Sequence, residues 1–185
     1  MFTDHTPESA PAAARPAISA TAKKFGRVPS AVARLATSPE LLNGFLKLSA
    51  IFESTTLTAL EREVLIMTVA ARNECHLCVA MHTATLTRLA ASPELVAALR
   101  AESPLPDPKL EALRGFVHSV MDTRGEVPAA ELAAFTGAGY TERNALEVVL
   151  GIGTYTLSTF ANRLTRAPLD EVFAEHTWHP AAASV

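Results

Sequence analysis

The run Val64-Leu65-Ile66-Met67-Thr68-Val69-Ala70-Ala71 is apolar on nearly every side of a helix. A helix with no polar face has to be surrounded by other elements. Its start is marked just upstream, where Thr58-Ala59-Leu60-Glu61 has the form of a capping box with Thr58 as N-cap. The helix then reads from 58 to Arg72, and the rest of the chain has to supply its surroundings. Further helices are expected near 17–25, 39–53, 75–90, 93–100, 108–123, 129–137 and 141–163. Ser38-Pro39, Ser92-Pro93 and Asp107-Pro108 each pair a capping residue with proline at the first helical position. No stretch alternates as a strand would, and aromatic residues are only 6% of a chain that is 49% hydrophobic. The expected fold is all-α, a compact helical bundle. Residues 17–185 are read as one domain, in keeping with the length. Residues 1–16, rich in alanine, proline and polar groups, are read as a flexible arm.

The chemistry is concentrated at one place. The chain has two cysteines, and they stand in Cys75-His76-Leu77-Cys78, with His82 one turn further on and Glu63 twelve residues before Cys75. In one straight helix Glu63 and Cys75 would be roughly 18 Å apart and unable to cooperate. A reversal near Asn73-Glu74 instead makes an antiparallel hairpin of the helices at 58–72 and 75–90. Position 63 is then level with position 83 or 84, which sets Glu63 opposite His82. Cys78 and His82, four apart, share a helix face. The thiols fall in the first turn of a helix, where the dipole favours an anion. A dithiol, an imidazole and a carboxylate in register suit thiol redox chemistry. A metal site would need a fourth ligand beside Cys75, Cys78 and His82, and there is no third cysteine. No cofactor and no metal are expected. His76, inside the motif, is a possible electrostatic tuner of a thiol.

The pattern Glu63-x11-Cys75-x2-Cys78-x3-His82 resembles the signature of the alkylhydroperoxidase D-like, carboxymuconolactone decarboxylase superfamily. Leu57 to Glu63 and Asn73 to Thr83 resemble its flanks, with Leu77 where an aromatic is common. Phe25 to Pro29, Ser38 to Leu42 and Leu150 to Asp170 are similar to its outer segments. The resemblance implies an oligomeric all-α protein with a peroxidase-type disulfide cycle. It implies a hydroperoxide substrate and an external dithiol reductant, which lipoyl compounds would fit. Glu63 and His82 would carry protons, Cys78 would attack the peroxide, and Cys75 would resolve the sulfenic acid. The usual exposure of the first cysteine in such motifs argues for Cys75 instead, so the order stays open. General disulfide oxidoreduction, and cofactor-free acid–base chemistry of the decarboxylase branch, are the competing readings.

Other features narrow the field. A formal charge of −3 without a basic run argues against nucleic acid as a partner. No apolar stretch approaches a membrane span, and the N-terminus lacks a basic region followed by an apolar core. A cytoplasmic setting is expected, where disulfides are transient and catalytic. Low charge density and near-continuous apolar helices suggest a homo-oligomer. His118 is read as structural, and Trp178 as an anchor for the tail. Tyr155, Thr159 and Asn162, at i, i+4, i+7 spacing, could line a pocket or an interface and are read as interface packing, and Gly151 and Gly153 are read as points of close helix approach.

Overall fold

The computed structural model describes residues 2–180, and among these there is no β-strand. Nine helices follow in order: α1 (Arg15–Phe25), α2 (Ser30–Leu35), α3 (Pro39–Glu53), α4 (Ala59–Arg72), α5 (His76–Arg88), α6 (Pro93–Arg100), α7 (Pro108–Asp122), α8 (Ala129–Gly137) and α9 (Glu142–Thr165). Short 3-10 turns lie at Ala12–Ala14 and Glu171–His176.

The apolar run dictates the architecture. Val64 to Ala71 is buried throughout, and α4 is enclosed by α5, α7, α9 and α6. Both halves of its capping box form: Thr58 Oγ1 accepts from the Glu61 N–H at 3.2 Å, and Glu61 Oε2 accepts from the Thr58 N–H at 2.8 Å. Ser38, Ser92 and Asp107 cap their helices as their pairing with proline requires.

α4 ends at Asn73 and the chain turns back at once. The Cys75 N–H reaches the Ala70 carbonyl at 2.9 Å, and Glu74 takes the left-handed conformation, φ 50°. That conformation is unfavourable for a residue with a Cβ, and α9 holds it in place. Asn73 Nδ2 donates to Thr159 Oγ1 at 2.9 Å, Arg163 donates to the Asn73 carbonyl, and Arg163 pairs with Glu74 at 3.2 Å. α9 approaches closely because Gly151 has no side chain. A Cβ there would lie 2.6 Å from Phe52 and 2.7 Å from Leu65.

Two regions differ from the sequence reading. The expected N-terminal arm lies against the body: Ala10, Ala14 and Ile18 pack with Leu35, Leu42 and Ala161, and the His5 N–H reaches the Ala33 carbonyl at 3.1 Å. Small alanines let the backbone approach where larger side chains would hold it off. α2 was not expected at all. Its six residues have no cap of their own, and its first N–H, on Ser30, is met by the Asp170 carboxylate at 3.2 Å. Among the described residues, no helix is long and apolar enough to cross a membrane.

Candidate active site

Cys75 is the N-cap residue of α5 and Cys78 lies in its first turn. One helical turn separates them, which brings their sulfurs to 3.0 Å as free thiols. Both are buried, at 1% and 4% exposure. Their proton affinities are driven apart. The hydrogen bond from Cys78 holds the Cys75 thiol below its ordinary value. Burial opposes this, while the Cys78 backbone N–H and the nearby Arg163 and His82 assist. The bond to Cys75 pushes Cys78 well above the ordinary value, and burial and the Cys75 charge add to it. Of the two thiols, Cys75, at the helix N-terminus, is therefore the one that gives up its proton more readily.

The hairpin sets Glu63 of α4 against His82 of α5. Glu63 Oε2 lies 2.8 Å from His82 Nδ1, with only 12% and 18% of the two side chains exposed. An ionised carboxylate accepts from Nδ1–H, which leaves Nε2 as the free basic nitrogen. Tyr155 stands edge-on to the imidazole, ring centres 5.7 Å apart. Burial, together with the Glu63 charge, pushes the Tyr155 phenol up to about 12, so it stays neutral.

Cys78, His82, Tyr155, Ser158 and Asn162 line one cavity of about 320 Å³. Phe25, Val32, Leu35, Phe45, Met81 and Phe173 give it mainly apolar walls, while Lys24, Arg27 and Glu53 are its charged lining residues. Cys75 is not among the lining residues. Asn162 is buried, and its Nδ2 lies 3.3 Å from Cys78 Sγ and 3.5 Å from Ser158 Oγ. Its Oδ1 is buried without a hydrogen-bond partner. That is costly for an amide oxygen away from water.

Cys75, Cys78, His82 and Glu63 therefore come together. His76 is exposed outside the cavity, its pKa lowered by partial desolvation and by the nearby His179 and Arg163. α9 supplies the residues that sequence reasoning assigned elsewhere. Tyr155 and Asn162 face the cavity, and Thr159 secures the turn through Asn73. The signal was present in polar side chains at 155, 158 and 162, which recur along one side of the helix. His118 contacts Arg72 and Arg114, away from the site. Trp178 is buried, and its indole N–H donates to the Arg100 carbonyl at 2.9 Å, fastening the tail. Among the described residues, no group of three or more His, Cys, Asp or Glu is placed to hold a metal ion.

Residues 39–117 match the carboxymuconolactone decarboxylase family. No curated protein matches the chain. Solved structures share the fold over nearly its whole length. A peroxidase-related protein from Ralstonia eutropha, described as an alkylhydroperoxidase AhpD core, superposes with a TM-score of 0.81 at 22% identity over 93% of each chain. A peroxidase-related protein from a Silicibacter species has a TM-score of 0.75 at 20% identity, covering 92% of this chain and 93% of its own. The debrominase Bmp8, in a complex with 2,3,4-tribromopyrrole, has a TM-score of 0.73 at 14% identity over 95% of each chain.

Proposed function

We propose that this chain, whose residues 39–117 match the carboxymuconolactone decarboxylase family and whose fold is similar to that of an alkylhydroperoxidase AhpD core, is a thiol-dependent hydroperoxide reductase. The observation that carries the reading is that Cys78 and His82 line one cavity, each backed by a partner outside it: Cys75, its sulfur 3.0 Å from that of Cys78, and Glu63, 2.8 Å from His82. The apolar walls suit an organic hydroperoxide, ROOH. Cys78, facing the cavity, is the attacking sulfur.

Cys78 gives its proton to His82 Nε2, and Glu63 stabilises the imidazolium. The Asn162 amide N–H supports the thiolate as it forms. The sulfur attacks the terminal oxygen; an S–O bond forms, the O–O bond breaks, and RO⁻ takes the proton from His82 and leaves as ROH. Cys78 is now a sulfenic acid. Cys75, already biased toward thiolate, attacks the oxidised sulfur and expels hydroxide, which leaves as water once protonated. The Cys75–Cys78 disulfide is returned to the dithiol by exchange with an external dithiol, which becomes the oxidised partner. The opposed thiol shifts thus have separate uses: Cys75 is poised to resolve, and Cys78 keeps its proton until substrate and base are in place.

The test is to trap the intermediate. Cys75→Ser protein treated with one equivalent of alkyl hydroperoxide and a sulfenic-acid trap is expected to carry the adduct on Cys78. An adduct found only on Cys75, in Cys78→Ser protein, reverses the order of attack. Turnover of a lactone or keto acid that survives alkylation of both thiols would replace the reading with acid–base chemistry on Glu63 and His82.

A further inference from the structure

Asn162 meets the sulfur that faces the cavity with only half of its amide. Its Nδ2 has two hydrogens, and both have partners among the lining residues: Cys78 Sγ at 3.3 Å and Ser158 Oγ at 3.5 Å. Its Oδ1 has none, although the residue is only 4% exposed. The two bonds on the nitrogen fix the plane of the amide, and with it the place of the oxygen. A buried amide oxygen without a donor is costly. Among the described residues, Ser119 Oγ and Tyr140 Oη share this state, but neither residue lines the cavity. Asn162 does, and it touches a nucleophile.

The chemistry of the arriving group follows from the atom. An amide oxygen accepts and cannot donate, so its partner has to bring an O–H or an N–H. A hydroperoxide, RO–OH, carries such a hydrogen on its terminal oxygen, the one a thiolate attacks. The distances allow both contacts at once. Oδ1 is about 2.2 Å from Nδ2 across the planar amide, so Sγ and Oδ1 are at most about 5.5 Å apart. One oxygen can therefore stand about 3–3.5 Å from the sulfur, the separation of reacting atoms, and about 2.8 Å from Oδ1, an ordinary O–H···O distance. A disulfide or a dialkyl peroxide brings no such hydrogen and leaves Oδ1 unpaired.

We propose, on the hydroperoxide reductase reading, that Asn162 recognises the substrate's O–H: Nδ2 donates to the Cys78 thiolate while Oδ1 accepts from the terminal –OOH hydrogen. The two halves of one amide thus set nucleophile and electrophile side by side. In the step itself the S–O bond forms and the O–O bond breaks. The hydrogen on the terminal oxygen travels with it and becomes the sulfenic acid O–H on Cys78, still donating to Oδ1, and RO⁻ takes its proton from His82. The site thereby favours a hydroperoxide over an electrophile of the same size that has no O–H. The transferred oxygen is held on the cavity side, which leaves Cys75, outside the cavity lining, free to approach the sulfur.

The test uses Cys75→Ser protein, in which Cys78 is the one thiol. Its rate of reaction is measured with an alkyl hydroperoxide and with methyl methanethiosulfonate, a sulfur electrophile without an O–H or N–H. Loss of the Nδ2 bond slows both reactions through the thiolate and cancels in the ratio of the two rates. Asn162→Leu should lower the hydroperoxide-to-thiosulfonate ratio about fivefold, the effect of one neutral hydrogen bond. Asn162→Ala, which removes the amide without adding bulk, should lower it equally and carries the test if leucine does not fit. Asn162→Asp keeps an acceptor oxygen. Its charge opposes the thiolate, so it should slow both reactions and hold the ratio near the starting value. A ratio unchanged in Asn162→Leu and Asn162→Ala, or lost equally in Asn162→Asp, overturns the assignment and leaves the reductase reading standing. A Cys78 that takes the thiosulfonate and not the hydroperoxide in Cys75→Ser protein overturns both.

Discussion

Glu61 and Glu63 stand two residues apart in the first turns of α4, both carboxylates are largely buried, and they belong to different regions of the molecule. Glu61 is consumed by structure. It accepts the Thr58 N–H at 2.8 Å and pairs with Lys109 of α7 at 2.8 Å. Tyr140 lies beside this knot, its phenol pushed up first by burial and then by the Glu61 charge. Glu63 faces the opposite way and has the His82 imidazole as its partner, next to a cavity with a thiol in it. A second contrast reinforces the first. At the far end of α9, Thr56, Asn144, Glu147 and Arg143 satisfy one another completely. At the cavity, Asn162 keeps an unpartnered oxygen. Ser119 Oγ and Tyr140 Oη are also buried without a partner, so the cavity is set apart by where its unpartnered oxygen stands, on a residue that lines it and bonds a thiol.

The sharpest way to break this contrast is to remove the sulfur that faces the cavity. Cys78→Ser should abolish hydroperoxide-dependent oxidation of a dithiol, a loss on the order of 10⁴-fold or more, as for other deleted nucleophiles. It should also raise the pKa of Cys75, because the hydrogen bond from Cys78 is the main cause of its lowered value. Ultraviolet absorbance of the thiolate against pH reads this directly.

Glu63→Gln comes next. It keeps the shape and removes the charge behind His82, and turnover should fall by about 10²-fold, the low end of general acid–base effects. Glu61→Gln should leave turnover nearly unchanged and cost stability instead, about 1–3 kcal/mol in urea unfolding. Equal kinetic effects of the two changes would dissolve the distinction between the regions.

Asn162→Leu should have a smaller effect, about tenfold on turnover, as expected for one hydrogen bond to a charged group. The amide lowers the Cys78 pKa against the effects of Cys75 and burial. Its loss should therefore move the rise of kcat/KM to higher pH. A uniform loss at every pH would leave the amide N–H with no part in holding the thiolate.

The gentlest test is acid. Burial pushes the Glu61 carboxyl up, but the bonds from Lys109 and Thr58 outweigh it and hold the pKa below the ordinary 4.5. A depressed carboxylate contributes stability above its unfolded value, and that contribution is lost as pH falls through the folded one. Wild type and Glu61→Gln should thus differ in unfolding free energy at neutral pH, and the difference should shrink as pH falls below the ordinary carboxylate value and through the folded one.

Much of this was legible before the structure. The all-round apolar helix, the capping box and the serine–proline and aspartate–proline starts are local signals, and the helices they mark begin within a residue or two of the expected places. The Glu63–His82 contact follows from helix periodicity and one reversal, and both are sequence-local. What escaped is non-local. α2 is capped by Asp170 from the other end of the chain, and the N-terminal segment is held by contacts among small residues that carry no pattern. Asn162 was visible as a polar residue spaced i, i+4 and i, i+7 from Ser158 and Tyr155 on the last long helix. Only packing decides whether such a residue meets a sulfur, a turn or a second subunit. The same holds for the adjacent pair Gly151 and Gly153, alike in sequence and opposite in surroundings.

The most direct measurement is the intact mass of the wild-type chain after brief exposure to one equivalent of an organic hydroperoxide, followed by peptide mapping. Dithiol–disulfide turnover at this site predicts a monomer lighter by two hydrogens, with the link mapped to Cys75 and Cys78 and reversed by a dithiol. Two thiols left unmodified after the peroxide, disulfide-linked dimers, or sulfinic acid on a single cysteine would contradict it.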